Sequence, residues 1–250
     1  MVCSGNGLTV HELFVSRILL LQVGSTVPGL QARRGDFDLW FKEGLGAIDV
    51  DVLCPHLGDA LPQSSDYGGV VITGASCMVT DDEPWSLAVE SWLKTAVHDG
   101  VAIYGVCYGH QLLARALGGE VGWNSNGREI GSVEVKLTED AAADAMFAGL
   151  PAPLLVHESH SQSVLVLPPG ARRLAFNRHD DNQAFAYGKR AWGTQFHPEF
   201  DAEIVSSYID ERRVEIESEG LDPNGLLLTA RESDVGRVLL RRFAAIVQAS

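Results

Sequence analysis

Residues Val101–Leu117 read VAIYGVCYGHQLLARAL, and this stretch decides the fold. Val101–Val106 is a short apolar run of the kind that forms a strand buried on both faces. Tyr108–Leu117 follows at once as a helix and stops at Gly118-Gly119, where a helix commonly ends. Between them stands Gly105-Val106-Cys107-Tyr108-Gly109. A glycine–x–nucleophile–x–glycine sequence at a strand-to-helix junction is a nucleophile elbow, a cramped turn that pushes its central side chain out over the sheet's carboxyl edge. The positive end of the helix favours thiolate over thiol at Cys107, and the N–H of Tyr108 points where an oxyanion would form. Taken alone, Cys107 also fits a small buried hydrophobe, the commonest fate of a free cysteine.

Upstream, Arg17–Val23, Val50–Cys54 and Gly69–Thr73 read as further strands. A polar loop follows the first, then a short helix at Asp36–Glu43. An amphipathic helix over Trp85–His98 is opened by the acids and proline of Asp81–Pro84. Strands alternating with helices predict an α/β fold with a mainly parallel sheet flanked by helices. Downstream, Ser132–Leu137, Leu154–His157, Arg173–Asn177, Gln183–Tyr187 and Ala191–Phe196 read as strands that extend the sheet or form antiparallel pairs at its edge. Ala202–Glu219 and Ala230–Ala249 read as helices joined by the turn-rich Leu221–Gly225. The organisation expected is a single domain over residues 17–250, with 202–250 as C-terminal helices and 1–16 as an N-terminal extension.

The composition is that of a globular protein, 46% hydrophobic and 21% charged over 250 residues. Nineteen basic against 33 acidic residues give a net charge of −14, which disfavours nucleic acid and anionic membranes as partners. Cys3, Cys54, Cys77 and Cys107 show neither a disulfide framework nor C-x-x-C spacing. Free thiols, and an N-terminus without a secretory pattern, point to the cytoplasm. The apolar run Ile18–Val23 is far short of a membrane span.

A thiolate nucleophile needs a partner that takes and returns a proton, usually histidine. His197 is the best candidate: it follows the strand Ala191–Phe196, Pro198 fixes the backbone after it, and the carboxylate of Glu199 can orient its imidazole. By itself His-Pro-Glu also fits a turn beside a surface carboxylate. His110, on the elbow helix, fits packing at least as well as a site role. Gly74-Ala75-Ser76, after the third strand, can supply a second oxyanion donor, and is equally compatible with an ordinary strand-to-helix connection. No histidine–carboxylate group shows metal-ligand spacing, so neither metal nor cofactor is expected.

These residues resemble the class I, or triad, glutamine amidotransferases. Gly105–Gln111 (GVCYGHQ) resembles the family's G-x-C-x-G-x-Q signature and Gln195–Glu199 its Q-x-H-P-E signature. Ile72–Ser76, Arg128–Gly131 and Ser159–Val164 resemble further segments of the amidotransferase domain of GMP synthase and of its stand-alone relatives. The resemblance implies a flavodoxin-like sheet and a catalytic triad of Cys107, His197 and Glu199. It implies an oxyanion held by N–H groups of Tyr108 and of Gly74 or Ala75, and glutamine held by Gln111 and the backbone around Ser159, His160 and Ser161. Two departures stand out: Ala75 replaces a loop glycine, and Gln162 replaces the acid expected to hold the substrate's ammonium.

The activity implied is hydrolysis of the glutamine side-chain amide through a γ-glutamyl thioester on Cys107. No P-loop and no S-G-G-x-D-S signature occurs, so the ammonia would go to a separate synthetase. Otherwise the chain acts as a γ-glutamyl peptidase on glutathione-like compounds, or as a non-catalytic regulatory module of the same fold.

Overall fold

A computed structural model describes residues 17–249. The expected extension 1–16, with Cys3 and His11, lies outside them, as does Ser250. The central sheet has nine strands. Its parallel half comprises β1 (Ile18–Leu21), β2 (Val50–Leu53), β3 (Gly69–Ile72), β4 (Ala102–Val106) and β11 (Ala191–Thr194). Its antiparallel half comprises β6 (Glu129–Leu137), β7 (Leu154–His160), β9 (Arg172–Phe176) and β10 (Ala184–Tyr187). The spatial order is β2-β1-β3-β4-β11-β10-β9-β6-β7. β5 (Glu120–Trp123) and β8 (Gln162–Val166) pair antiparallel as a separate two-stranded ribbon. The expected α/β class, mainly parallel with antiparallel edge strands, is the one observed.

Alternation along the buried strands builds two cores, one on each face. Ile18, Leu20, Tyr104 and Val106 point to one face, where they join Trp40, Phe41, Leu239 and Phe243. Leu19, Leu21 and Ile103 point to the other, where they join Val89, Leu93, Leu112 and Leu113. The first core is covered by α2 (Phe37–Leu45), α5 (Ala202–Glu211) and α8 (Val235–Gln248). The second is covered by α3 (Pro84–His98) and α4 (Tyr108–Ala116). Asp36 caps α2 by accepting the N–H of Phe37, and Pro84 opens α3 where its missing N–H costs nothing.

Several expected boundaries move. Pro28–Arg34, read as loop, is helix α1, with Leu30 its one buried residue and hence too little periodicity to see. β6 starts three residues earlier and β7 ends three residues later than read, because buried Glu129, Glu158 and His160 interrupt the apolar pattern. The helix read over Ala202–Glu219 bends at Arg212, leaving α5 and α6 (Arg213–Ser218). The turn read at Leu221–Gly225 already opens α7 (Pro223–Thr229). α8 starts at Val235, not Ala230, because the preceding segment is tied to the sheet. The Arg231 N–H donates to Ser132 Oγ, and Ser233 Oγ donates to the Leu155 carbonyl. No helix among the described residues is long and apolar enough to cross a membrane.

Candidate active site

β4 and β11 are 89 residues apart at their starts, yet run side by side with Val106 opposite Thr194. The chain therefore leaves both strands at the same sheet edge. Cys107 follows one; Gln195, Phe196 and His197 follow the other. The Cys107 N–H donates to the Thr194 carbonyl (2.9 Å), and the His197 N–H to the His157 carbonyl on β7 (2.9 Å).

Cys107 sits at φ 51° and ψ −102°, one of two non-glycine residues at positive φ among those described. That is the strained elbow read from the sequence. Both flanking glycines are required by space: a Cβ on Gly105 would strike the Gly109 carbonyl, and one on Gly109 the backbone and side chain of Ile72. The Gly109 N–H donates to the Thr73 carbonyl (3.2 Å), tying the elbow helix to the Gly74-Ala75 loop. Tyr108 stands in the first turn of α4, where an N–H has no acceptor within the helix. Its ring stacks on Trp85 and its hydroxyl meets Ser86 Oγ at 2.6 Å, so the turn is anchored from below.

His197 Nδ1 lies 2.7 Å from Glu199 Oε1, which leaves Nε2 for the thiol. The imidazole stacks between Phe200 (4.0 Å between ring centres) and Phe37 (6.3 Å). Burial alone would push the imidazolium's pKa down. The Glu199 carboxylate and the Cys107 sulfur together outweigh it and lift His197 to about 10. The result is a buried imidazole that keeps a proton across the neutral range, held by aromatic rings and one carboxylate.

The loop after β3 closes on this pair. A Cβ built on Gly74 would lie 2.9 Å from His197 Cε1 and 3.7 Å from both His197 Nε2 and Cys107 Cβ. Ala75 is not among the residues at positive φ, so the alanine in place of the loop glycine adopts its backbone without strain.

Ala75, Tyr108, Gln111, Ser159, His160 and Ser161, all expected from the sequence, line one small pocket beside Cys107. Two arginines absent from the expected set line it too. Arg128 reaches it from β6's edge while held by both oxygens of Glu219, and Arg212 comes from the bend after α5. Nothing in the local sequence marks Arg212, because only the return of the C-terminal helices brings it there. The Cys107 thiol faces the Ser159 carbonyl at 3.9 Å. Gln111 spends its amide donors on the Gln162 carbonyl (2.7 Å) and Gln195 Oε1 (2.9 Å), leaving its oxygen for a ligand. His160 turns its ring away from the pocket, between the Gln162 carbonyl and Glu129. Gln162 donates to Thr80 Oγ1 (2.6 Å), and its own Oε1 is buried without a partner. His110 packs on Phe185, and burial pushes its pKa down to about 3, which keeps it neutral.

The fold also gathers Glu129, Glu158 and His160 into a buried group with metal-ligand spacing that no sequence spacing signals, because they come from two strands.

The family model for glutamine amidotransferase class-I matches residues 50–212. One of the subunits of the glutamine-hydrolyzing GMP synthase of Archaeoglobus fulgidus is 37% identical over 182 residues, covering 70% of this chain and 93% of that one. Gamma-glutamyl peptidase 5 of Arabidopsis thaliana is 32% identical over 146 residues, 58% of each chain, so the match spans less than two thirds of that relative's length. The crystal structure of a glutamine amidotransferase from Thermotoga maritima superposes with a TM-score of 0.74 at 26% identity, over 94% of this chain and 98% of that one.

Proposed function

The chain belongs to the class-I glutamine amidotransferase family, and from that premise we propose that it cleaves a γ-glutamyl amide bond with Cys107 as nucleophile. The observation that carries this reading is the strained Cys107 elbow beside a His197–Glu199 pair whose imidazole is held charged.

The thiolate of Cys107 adds to the amide carbon. The oxyanion is met by the N–H groups of Tyr108 and of Gly74 or Ala75. On collapse the C–N bond breaks and His197 Nε2 gives its proton to the departing nitrogen, leaving a γ-glutamyl thioester and a neutral imidazole. His197 then takes a proton from water, the hydroxide adds to the thioester, and glutamate leaves as the thiolate returns. Glu199 holds Nδ1 throughout and orients the ring. Ser159, Ser161 and the Gln111 oxygen receive the amino-acid end of the glutamyl group. With glutamine as substrate the leaving group is ammonia, available to a separate synthetase.

A second reading, γ-glutamyl peptidase, is favoured by a groove of about 380 Å³ beside the pocket. It shares Arg128 and Ser161 with the pocket and adds Trp123 and Leu221, which gives room for a larger leaving amine than ammonia.

Glutamate release by the purified chain, from glutamine and from glutathione in parallel with Cys107→Ala as blank, separates the readings. Cys107-dependent release from glutamine alone supports ammonia donation; preference for glutathione supports the peptidase. Silence on both, together with no trapping of Cys107 by a reactive glutamine analogue, would leave the non-catalytic module.

A further inference from the structure

The β6–β7 pairing sets Glu129 opposite His160 and Gly131 opposite Glu158. Residues 158 and 160 share a face of β7, and with Glu129 their ligand atoms lie within 4.8 Å of one another. His160 Nε2 is 3.1 Å from Glu129 Oε2 and 3.6 Å from Glu158 Oε2. All three residues are buried, Glu158 completely.

Hydrogen bonding around the group determines which lone pairs face inward. His160 Nδ1 lies 2.9 Å from the Gln162 carbonyl, which can only accept, so a ring proton sits on Nδ1 and Nε2 is the ring atom turned towards the carboxylates. Glu129 is held from outside by the amides of Asn177 (2.6 Å) and Gln183 (2.7 Å). Neither oxygen of Glu158 has a hydrogen-bond partner, and neither does Gln183 Oε1. An ionised carboxyl in that condition costs heavily unless it is neutralised, by a proton or by a cation set against it.

These are the marks of a coordination site. A ligating histidine typically donates its other N–H to a carbonyl, as His160 does to Gln162, and a ligating carboxylate is braced by outer donors, as Glu129 is. Bonds of about 2.0–2.1 Å in tetrahedral array put neighbouring ligand atoms roughly 3.4 Å apart. The observed 3.1 and 3.6 Å straddle that edge. One imidazole nitrogen with two carboxylate oxygens suits Zn²⁺ better than Mg²⁺, which asks for six oxygens in an octahedron.

We propose that Glu129, Glu158 and His160 form a binding site for a divalent transition cation, Zn²⁺ foremost. The ion ties β6 to β7 immediately behind the Ser159–Ser161 segment that lines the pocket, and it takes no part in the bond-breaking steps above. Its role is to hold that segment's backbone.

The test uses the full chain, stripped with a chelator, dialysed against Zn²⁺ and measured for bound metal. The competing site is the Cys107 thiol with His197, so Cys107→Ala is run alongside Glu158→Gln. One ion per chain is expected in the wild type and in Cys107→Ala, with affinity reduced at least about tenfold in Glu158→Gln. Circular dichroism establishes that each variant is folded. X-ray absorption at the zinc edge of the wild-type complex decides the matter even if Glu158→Gln does not fold: nitrogen and oxygen neighbours only are expected. A sulfur neighbour near about 2.3 Å, loss of the ion in Cys107→Ala with retention in Glu158→Gln, or no ion bound at all would overturn the proposal.

Discussion

Gly74 faces His197 with no room for a side chain between them: a methyl group on its Cα would come within 2.9 Å of the imidazole Cε1. The ring cannot yield easily, because Phe37 and Phe200 sandwich it and Glu199 grips Nδ1. Gly74→Ala should therefore displace the imidazole from Cys107 while leaving the fold intact. Turnover is expected to drop by on the order of 100-fold with little change in melting temperature, since small misplacements of reacting groups carry costs of that size. Steady-state kinetics with calorimetry on the same sample checks it; undiminished turnover would mean His197 is not the proton carrier.

Cys107 gives two distinguishable outcomes. Removing the thiol by Cys107→Ala should abolish glutamate release. Comparing that variant with Cys107→Gly isolates the elbow strain, because both lack the thiol but only glycine adopts φ 51° freely. Cys107→Gly is expected to be the more stable of the two by about 1 kcal/mol in denaturant unfolding. Equal stabilities would show that the turn is not strained.

The His197–Glu199 pair predicts a pH dependence with a definite sign. In the folded chain His197 titrates at about 10, above an ordinary unfolded value of about 6.5. Stabilisation from the charged imidazole is thus complete below about pH 6.5 and is lost as pH rises towards and through 10. Removing the carboxylate with Glu199→Gln leaves burial to dominate, which lowers the value. The alkaline fall of kcat/KM should then begin at lower pH than in the wild type, and the stability difference between the two should shrink towards high pH. An alkaline limb that does not move would separate Glu199 from the proton on His197.

Gln162 predicts a gain. Its buried Oε1 has no partner and carries no charge. Gln162→Asp should lower KM for γ-glutamyl compounds with a free α-ammonium by about tenfold, as charge-assisted hydrogen bonds exceed neutral ones. KM for the same compounds with an acetylated α-amino group should not improve. An equal effect on both would place Gln162 away from the ammonium.

The site readings made from the sequence rest on local sterics. The glycines of Gly105–Gly109 permit a tight elbow at a strand's end, and Gly74 permits a loop that lets another chain segment approach. His-Pro-Glu confines the imidazole and its carboxylate to one short turn. Such features depend on a few adjacent residues, so Cys107, His197, Glu199 and the loop after β3 stand out as candidates in the sequence itself.

Tertiary structure alone decided which of these segments meet. The parallel pairing of β11 with β4 brings His197 to the elbow. The register of β6 against β7 assembles Glu129, Glu158 and His160 from positions that look like interruptions of two strands. The return of the C-terminal helices delivers Arg212 to the pocket and, through Ser233 and Arg231, delays the start of α8. Each depends on hydrogen-bond register and packing between residues far apart in the chain, where a shift of one residue would send every side chain of a strand to the opposite face. Local periodicity carries no record of that choice, so the candidate nucleophile could be picked out from the sequence while its wider surroundings had to be seen.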